Sequence, residues 1–429
     1  MNAISKCIGL IVLILHLSVP SLSATDKFVK NNIFELHPRG GLPNFFAKAL
    51  QGGPLKVAYF GGSITAQDGW RVKSFEWFKE RFPKAEFFEI NAAIGGTGSD
   101  FGVFRLRDHL LKFNPDLVFI EFAVNDSKTP SNTIVRSMEG IVRQIWQQNS
   151  SADICFVYTI KNTFLESEQN GQLPESAITM EKIADEYQIP TINFGFEVAK
   201  LVSINQLIFK GESKSQNGVM VFSPDGVHPY LETGHAIYQN VLKRSFEVMV
   251  AINPGKFKNH NLPQPLAADY FANTQMIDIR DTKLSKHWRI FRVENEPSFN
   301  GFAKYLKRVG KAGRDGETLT IRFRGRTIGA MDFIGPDVGR VIVEIDGAVK
   351  DTVFRFNPYC TSNSRLMHYF LIDRLEDKDH VVVFRVLTEP FDKAAILAKI
   401  GNKIKNPDDF EENNWYVGKI LIDGKLLSQ

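Results

Sequence analysis

Cysteine is scarce in this chain. It occurs three times among 429 residues, at Cys7, Cys155 and Cys360. Cys7 lies in an apolar segment near the N-terminus, and the other two lie far apart in regions of different pattern. Three such residues cannot form the disulfide framework that stabilises small secreted domains. We therefore predict that Cys155 and Cys360 are buried thiols and that hydrophobic cores stabilise the chain.

Runs of Lys and Arg are also lacking. The formal net charge is +4, which is small for this length. Because no basic tract could follow a phosphate backbone, we expect no nucleic-acid partner. Metal-ligand spacing is lacking too, since His228 and His235 lie seven residues apart with no third candidate ligand. We predict neither a metal nor a cofactor.

The apolar segment CIGLIVLILHLSV near the N-terminus follows Lys6 and is too short for a typical membrane-spanning helix. The sequence PSLSA then offers small residues for cleavage near Ser23 or Ala24. These features predict a signal peptide over residues 1–24, and a secreted or periplasmic protein without membrane insertion once the peptide is removed. An uncleaved anchor is the alternative. No cysteine lies directly after the apolar segment, at the predicted cleavage site, which argues against a lipid-anchored form.

The length predicts two domains, of which the first spans residues 25–252. Strand and helix patterns alternate in it from Leu55 to about Val250. Short apolar runs predict strands at 56–60, 85–93, 116–124, 153–160 and 190–194. Helical spacing predicts helices at 71–82, 101–113, 131–149, 175–188 and 230–250. Buried strands that alternate with helices indicate an α/β domain with a parallel sheet covered on both faces. In such sheets ligands bind beyond the carboxyl ends of the strands.

The pattern changes at residues 253–266, which are rich in Pro and Asn and are predicted to be a linker. Over 267–429 the helical period fades, and β-rich segments are separated by Gly, Asp and Asn. The sequence IDGAVK is a hairpin signal. Several short strands with turns between them predict an antiparallel β-sandwich, while the segment 203–222 has no recognisable pattern.

Two glycine-containing segments follow the first two predicted strands. FGGSIT places Ser63 just beyond the first strand, where Gly61 and Gly62 permit a sharp turn. Alone, this sequence is typical of a turn with a capping serine. NAAIGGTGSD (91–100) follows the second strand and is compatible with an ordinary glycine-rich connection. A dinucleotide-binding loop is another interpretation, but the spacing is not G-x-G-x-x-G and the segment does not follow the first strand.

Two further polar segments complete the set. Asn125 and Asp126 end the third predicted strand, where an amide could donate a hydrogen bond into the crevice. Asp225 and His228 lie three residues apart in one turn, flanked by prolines that restrict it. A histidine near Ser63 could accept its proton, with Asp225 supporting the imidazolium. We interpret His235 as a packing residue.

The four segments together resemble the SGNH (GDSL-type) hydrolase superfamily over about residues 55–250, through FGGSIT, NAAIGG, AVND and DGVHP. The resemblance implies a flavodoxin-like three-layer α/β/α fold and acyl-ester hydrolysis. It implies that Ser63 is the nucleophile, that His228 is the general base and then acid, and that Asp225 supports it. The oxyanion hole would consist of the Ser63 N–H, the Gly96 N–H and the Asn125 side chain.

Two details of the resemblance concern glycines. Gly96 is preferred over Gly95 because Asn91 sets the family's Asn-x-x-x-x-Gly register. Gly62 stands where the family usually has Asp, which removes a local hydrogen-bonding group but no catalytic role. An α/β-hydrolase elbow is disfavoured, because it needs Gly two residues after the serine and this chain has Thr65 there.

Export together with a C-terminal sandwich resembles secreted esterases in which a jelly-roll or galactose-binding-like domain accompanies the SGNH unit. This resemblance predicts that the substrate is an acetylated glycan from which O-acetyl groups are removed. Trp70 could provide an aromatic platform for a sugar ring. The alternatives are a lipase for longer acyl chains, a non-catalytic carbohydrate-binding protein, and an acyl-transfer enzyme acting on a cell-wall component. The chain lacks a long apolar lid segment, which places the lipase second.

Overall fold

A six-stranded sheet forms the centre of the first domain. The computed structural model describes residues 34–253, 255–362 and 365–429, so the predicted signal peptide over 1–24 lies outside the described residues. The strands are β1 (Leu36–His37), β2 (Gly53–Gly61), β3 (Ala85–Asn91), β4 (Leu117–Glu121), β5 (Asp153–Tyr158) and β6 (Thr191–Asn193). Their spatial order is β1-β6-β5-β4-β2-β3, and all neighbours are parallel except β1 and β6. The predicted parallel sheet is confirmed.

Helices cover both faces of this sheet. They are α1 (Pro43–Gln51), α2 (Ser63–Ala66), α3 (Trp70–Arg81), α4 (Ser99–His109), α5 (Ser131–Gln148), α6 (Leu165–Gln169), α7 (Glu175–Tyr187), α8 (Phe194–Ser203) and α9 (Gly234–Ile252). Side chains along β2 alternate between two apolar clusters, with Val57 and Tyr59 in one and Ala58 and Phe60 in the other. This two-sided burial explains why the strands are continuously apolar. No helix in the described part of the chain is both long and apolar enough to span a membrane.

The segment 203–222, which had no recognisable pattern, forms most of a small separate sheet. Its strands are β7 (Leu207–Lys210), β8 (Ser215–Gln216) and β9 (Val219–Ser223), with β9 in the middle. β9 ends at Ser223 and leads directly into the turn that contains Asp225 and His228. The small sheet thereby fixes the start of this turn.

The second domain is an antiparallel β structure, as predicted. Its strands are β10 (Thr274–Asp278), β11 (Lys283–Leu284), β12 (Arg289–Arg292), β13 (Arg308–Ala312), β14 (Thr318–Ile334), β15 (Arg340–Ile345), β16 (Ala348–Phe354), β17 (Leu366–Ile372), β18 (Lys378–Leu387) and β19 (Trp415–Leu426), with one further helix, α10 (Lys393–Ala398). The predicted hairpin joins β15 and β16. The long strand β14 pairs with β11, β17, β18 and β19. Both remaining cysteines are buried free thiols, as predicted.

The two domains share one apolar cluster. Phe101 on α4 stacks on Tyr369 of β17, with ring centroids 4.9 Å apart and an interplanar angle of 14°. Tyr369 Oη also donates a hydrogen bond to the Asp100 carboxylate. Thr274 Oγ1 donates to the Val103 carbonyl at 2.7 Å. The second domain therefore packs directly on α4, the helix that follows the glycine-rich segment 91–100.

Candidate active site

Ser63 occupies the first turn beyond β2. β2 ends at Gly61, and the short helix α2 begins at Ser63, with Gly62 in an extended conformation between them. A Cβ atom built on Gly62 would lie 2.0 Å from Oδ1 of Asn125. Any side chain at position 62 would therefore collide with Asn125. The glycine allows the residues after β4 to approach the turn that contains Ser63.

The structure brings Ser63, His228 and Asp225 together in a hydrogen-bonded chain. His228 Nε2 lies 2.8 Å from Ser63 Oγ, and His228 Nδ1 lies 2.7 Å from Asp225 Oδ2. These are ordinary hydrogen-bond distances for a nucleophile, its base and the group that orients the base. All three side chains lie at the carboxyl edge of the sheet, where the alternating pattern predicted a site.

The Asp225–His228 turn is held by its own hydrogen bonds. The backbone N–H groups of Val227 and His228 both donate to Asp225 Oδ1 at 2.8 Å, and Ser223 Oγ donates to the same oxygen at 3.0 Å. Partial desolvation raises the pKa of Asp225, but the hydrogen bonds from the His228 ring and from these N–H groups hold it well below its usual range. Asp225 is therefore an anion across the neutral range and can stabilise a protonated His228.

The predicted oxyanion-hole residues lie on three converging loops. Asn125 begins a short 3-10 helix (Asn125–Lys128) after β4. A Cβ built on Gly95 would lie 3.5 Å from the Ser63 Cβ, so the glycine-rich loop also contacts the nucleophile. Gly96 has φ of +74°, a left-handed conformation that favours glycine. Its role as a donor remains a prediction.

A fully buried carboxyl group, which no sequence motif indicated, lies next to the turn that contains Ser63. Glu121 at the end of β4 accepts hydrogen bonds from Thr65 Oγ1 at 2.8 Å and from Thr159 Oγ1 at 2.7 Å. It also accepts one from the Gly62 backbone N–H. Burial raises its pKa to about 7, although these three donors act in the opposite direction. The signal in the sequence was a charged residue inside an otherwise apolar strand.

Two further buried groups, Arg105 and Asp126, support the glycine-rich loop, a role that the sequence did not predict for either residue. Arg105 donates to the carbonyl oxygens of Ala92 and Gly61, so one guanidinium joins this loop to the end of β2. Asp126 Oδ1 accepts a hydrogen bond from the Ser99 N–H at 2.9 Å. These contacts link the starts of two loops at the sheet edge. The sequence marks both residues as charged but does not show that they are buried.

The prediction that Trp70 is a sugar platform is wrong. Its side chain is 0% exposed and packs among Tyr59, Phe119 and Phe194. His235, which we interpreted as a packing residue, accepts the Trp70 backbone N–H on Nδ1 at 3.1 Å. This contact anchors the start of α3 and turns Trp70 into the core.

A cleft of about 520 Å³ lies between the two domains, beside the glycine-rich loop. The first domain contributes Ile94, Gly95 and Gly96 to its wall. The second domain contributes mainly aromatic and polar side chains: Phe302, Tyr305, Asn357, Tyr359, Arg365 and His368. The Tyr359 side chain is 67% exposed. Sequence reasoning could not find this cleft, because its two walls lie more than 200 residues apart.

Over residues 34–253, 255–362 and 365–429, no three His, Cys, Asp or Glu side chains are grouped as a metal site requires. The chemistry that the site itself can perform is proton transfer and nucleophilic attack by a serine.

We expect the free energy of unfolding to fall as the pH rises from 6.5 to 8. Burial raises the pKa of Glu121 to about 7, that of Asp126 to about 7 and that of Glu168 to about 8. Across this window the unfolded chain has already lost these protons, whereas the folded chain releases them only as the pH passes each raised pKa, so stability decreases until the last of the three groups ionises near pH 8. Burial lowers the folded-state pKa of His109 and of His235 to about 3, so near pH 6.5 only the unfolded chain binds protons at these two sites. This contribution opposes the fall in stability and fades by pH 8, and the three carboxyl groups outweigh it.

Urea unfolding at pH 6.5 and at pH 8 measures this dependence. Glu168→Gln is the informative variant, because Glu168 is fully buried and its Oε1 has no hydrogen-bond partner. We expect the variant to show a smaller fall than the parent chain. An equal or larger fall would contradict the assignment of these protons.

Comparison with known proteins gives a match to one family model and a similar fold. Residues 59–235 match the model of the GDSL-like lipase/acylhydrolase family. No curated protein matches the chain significantly. The structure resembles that of a two-domain esterase active on acetylated mannans, with 20% identity, a TM-score of 0.67, and coverage of 88% of this chain and 93% of that chain. A structure of such an esterase co-crystallized with mannopentaose gives 22% identity, a TM-score of 0.65, and coverage of 89% and 94%.

Proposed function

From the match of residues 59–235 to the model of the GDSL-like lipase/acylhydrolase family, we infer that this carboxylic ester hydrolase removes O-acetyl groups from a polysaccharide or oligosaccharide. The family is the one that the four sequence motifs predicted. The observation that carries the proposal is the hydrogen-bonded chain from Ser63 through His228 to Asp225, near a cleft of about 520 Å³.

In the proposed reaction, Ser63 Oγ attacks the acetyl carbonyl carbon while its proton passes to His228 Nε2. The negative charge that forms on the carbonyl oxygen is stabilised by the N–H groups of Ser63 and Gly96 and by the Asn125 side chain. The bond between the acetyl carbon and the sugar oxygen then breaks, and His228 gives its proton to that oxygen. A water molecule, deprotonated by His228, then attacks the acetyl-serine. The bond between the acetyl carbon and Ser63 Oγ breaks, His228 returns the proton to Oγ, and acetate is released.

The interdomain cleft supports a glycan as the group that carries the acetyl ester. It begins at the glycine-rich loop beside Ser63, and the exposed Tyr359 ring lies in its wall. Aromatic faces of this kind bind the apolar faces of sugar rings. The similarly folded two-domain esterases are active on acetylated mannans, and one was crystallised with mannopentaose. Both facts favour a glycan over a long acyl chain.

Tyr359→Ala is expected to reduce kcat/KM for an acetylated polysaccharide relative to kcat/KM for p-nitrophenyl acetate. Loss of one aromatic contact of about 1 kcal/mol gives a change of roughly fivefold in this ratio. Initial rates on both substrates measure it. Phe257→Ala is the matched control, because Phe257 is a 51% exposed aromatic residue that does not line the cleft. An unchanged ratio for Tyr359→Ala would remove this ring from glycan binding.

Acetate release from a panel of acetylated polysaccharides tests the proposal, with acetyl, butyryl and octanoyl p-nitrophenyl esters measured in parallel. We expect acetate release from at least one polysaccharide and a preference for the acetyl ester. A preference for octanoyl would favour the lipase alternative. Binding of a polysaccharide without any ester turnover would favour a non-catalytic carbohydrate-binding protein.

Export completes the proposal and rests on the sequence of residues 1–24 alone. A secreted or periplasmic enzyme would meet polymeric glycans, which do not cross membranes. Expression of the whole chain in a secreting host, followed by N-terminal sequencing, tests this. We expect a mature protein that begins after Ser23 or Ala24, and an uncleaved chain would contradict the export proposal.

A further inference from the structure

Glu121 is a charged residue in the core of the first domain, and the proposed reaction does not use it. It is 0% exposed and lies at the end of β4, opposite Gly61 in the register of β2 and β4. A Cβ built on Gly61 would lie 2.6 Å from the Glu121 carbonyl oxygen and 3.1 Å from Oε2. Glycine at position 61 thus leaves room for the carboxyl group to approach the turn that precedes Ser63.

The hydrogen bonds of this carboxyl group join three separate segments. Oε2 accepts the Thr65 hydroxyl proton from α2, and Oε1 accepts the Thr159 hydroxyl proton from the chain just after β5. The Gly62 backbone N–H, immediately before Ser63, donates to the same carboxyl group. Two of the three donors therefore lie one residue before and two residues after the nucleophile. The third fixes the neighbouring strand of the sheet.

We propose that Glu121 is a positioning residue for the nucleophile, holding the Gly62–Thr65 turn so that the Ser63 Oγ and N–H face the reacting carbonyl. This proposal rests on the proposed function. A carboxyl group suits the role because its two oxygens together offer enough lone pairs to accept all three hydrogen bonds. Removal of one donor loosens one side of this turn, while the Ser63, His228 and Asp225 side chains themselves are chemically unchanged.

Thr65→Val is the central variant, because it keeps the shape of the side chain and removes only the hydroxyl donor. We expect kcat for p-nitrophenyl acetate to fall by about 10-fold, since small displacements of a nucleophile cost one to two orders of magnitude. KM should change less than twofold. Thr65→Ser restores the hydroxyl and should restore most of kcat. The rate of covalent labelling of Ser63 by an alkyl phosphonate should fall in parallel with kcat.

Glu121→Gln tests the same contact from the other side. The amide supplies one acceptor oxygen and an NH₂ group that faces one of the donors, so kcat should again fall by about 10-fold. The double variant Thr65→Val/Glu121→Gln should be little worse than either single variant, because both remove the same interaction. Glu168→Gln is the matched control, since Glu168 is also fully buried but contacts Asn193 instead of the nucleophile turn.

The outcomes separate the two proposals. If Ser63→Ala retains turnover, the proposed function fails. If Ser63→Ala is inactive but Thr65→Val keeps the kcat and the labelling rate of the parent chain, the positioning role fails and the function stands. A purely structural role for Glu121 predicts lower melting temperatures with unchanged kcat in the folded protein. Should Glu121→Gln not fold, the comparison of Thr65→Val with Thr65→Ser still decides the matter.

Discussion

Ser63→Ala is expected to reduce kcat for p-nitrophenyl acetate by about 10⁵–10⁶-fold, to the limit of detection, because the nucleophile and its proton are removed together. In the structure Ser63 Oγ is 2.8 Å from His228 Nε2, and His228 is in turn held by Asp225. Loss of Oγ leaves the base without a proton to accept. Steady-state rates and single-turnover acetylation, followed by intact-protein mass, measure the effect.

The control for this experiment is a serine outside the site. Ser167 is half-buried on α6, and its Oγ donates to the Gln172 carbonyl. Ser167→Ala should keep the activity of the parent chain, and both variants should keep its far-UV circular dichroism. If Ser63→Ala retains turnover in a folded protein, Ser63 is not the nucleophile and the acyl-enzyme mechanism fails.

The sequence was sufficient to predict the central strands and the long helices of the first domain, and the order of the site residues along the chain. Strands such as β4 and β5 are buried on both faces, so their apolar runs are unbroken and easily recognised. Once the sheet is parallel, residues after successive strands must meet at one edge. That topological constraint brings Ser63 and Asn125 together without any knowledge of the contacts. The Asp225–His228 turn instead follows β9 of the separate small sheet, so the sequence placed it near Ser63 only through the family resemblance.

Features that depend on distant packing could not be predicted in this way. Trp70 lies seven residues after Ser63, and this proximity in sequence suggested a place in the cleft. The outcome is instead decided by His235, which accepts the Trp70 N–H and lies so close that a Cβ on Gly69 would come within 2.3 Å of its ring. An exposed aromatic residue that does line the cleft, Tyr359, comes from the other domain. No local pattern marks such a pair.

The departure from the usual family motif at Gly62 has a physical reason in this structure. The residue before the serine is usually Asp, and its absence first suggested a lost hydrogen-bonding group. Position 62 is instead filled by the Asn125 amide, which occupies the space of a Cβ. The Gly62 N–H meanwhile donates to buried Glu121. Gly62 therefore contacts both Asn125, which follows β4, and Glu121, which ends β4.

Gly62→Ala is consequently expected to lower kcat by about 10²–10³-fold, the cost of losing one oxyanion donor. The added Cβ would lie 2.0 Å from Asn125 Oδ1, so the Asn125 side chain must move away from the reacting carbonyl. Gly301→Ala is the control, because a Cβ there meets nothing within 4 Å. Steady-state kinetics on p-nitrophenyl acetate measure both variants, and a kcat for Gly62→Ala equal to that of the parent chain would remove Asn125 from the oxyanion hole.

Gly62→Asp introduces the residue that the family usually carries at this position, so it distinguishes two explanations of the glycine. If the glycine were only a missing hydrogen-bonding group, the aspartate would restore or improve activity. The structure predicts the opposite, since the aspartate brings the same Cβ against Asn125 and adds a carboxylate to the site where an oxyanion forms. We expect kcat for Gly62→Asp to be no higher than for Gly62→Ala. A more active aspartate variant would mean that Asn125 can move freely without loss of catalysis.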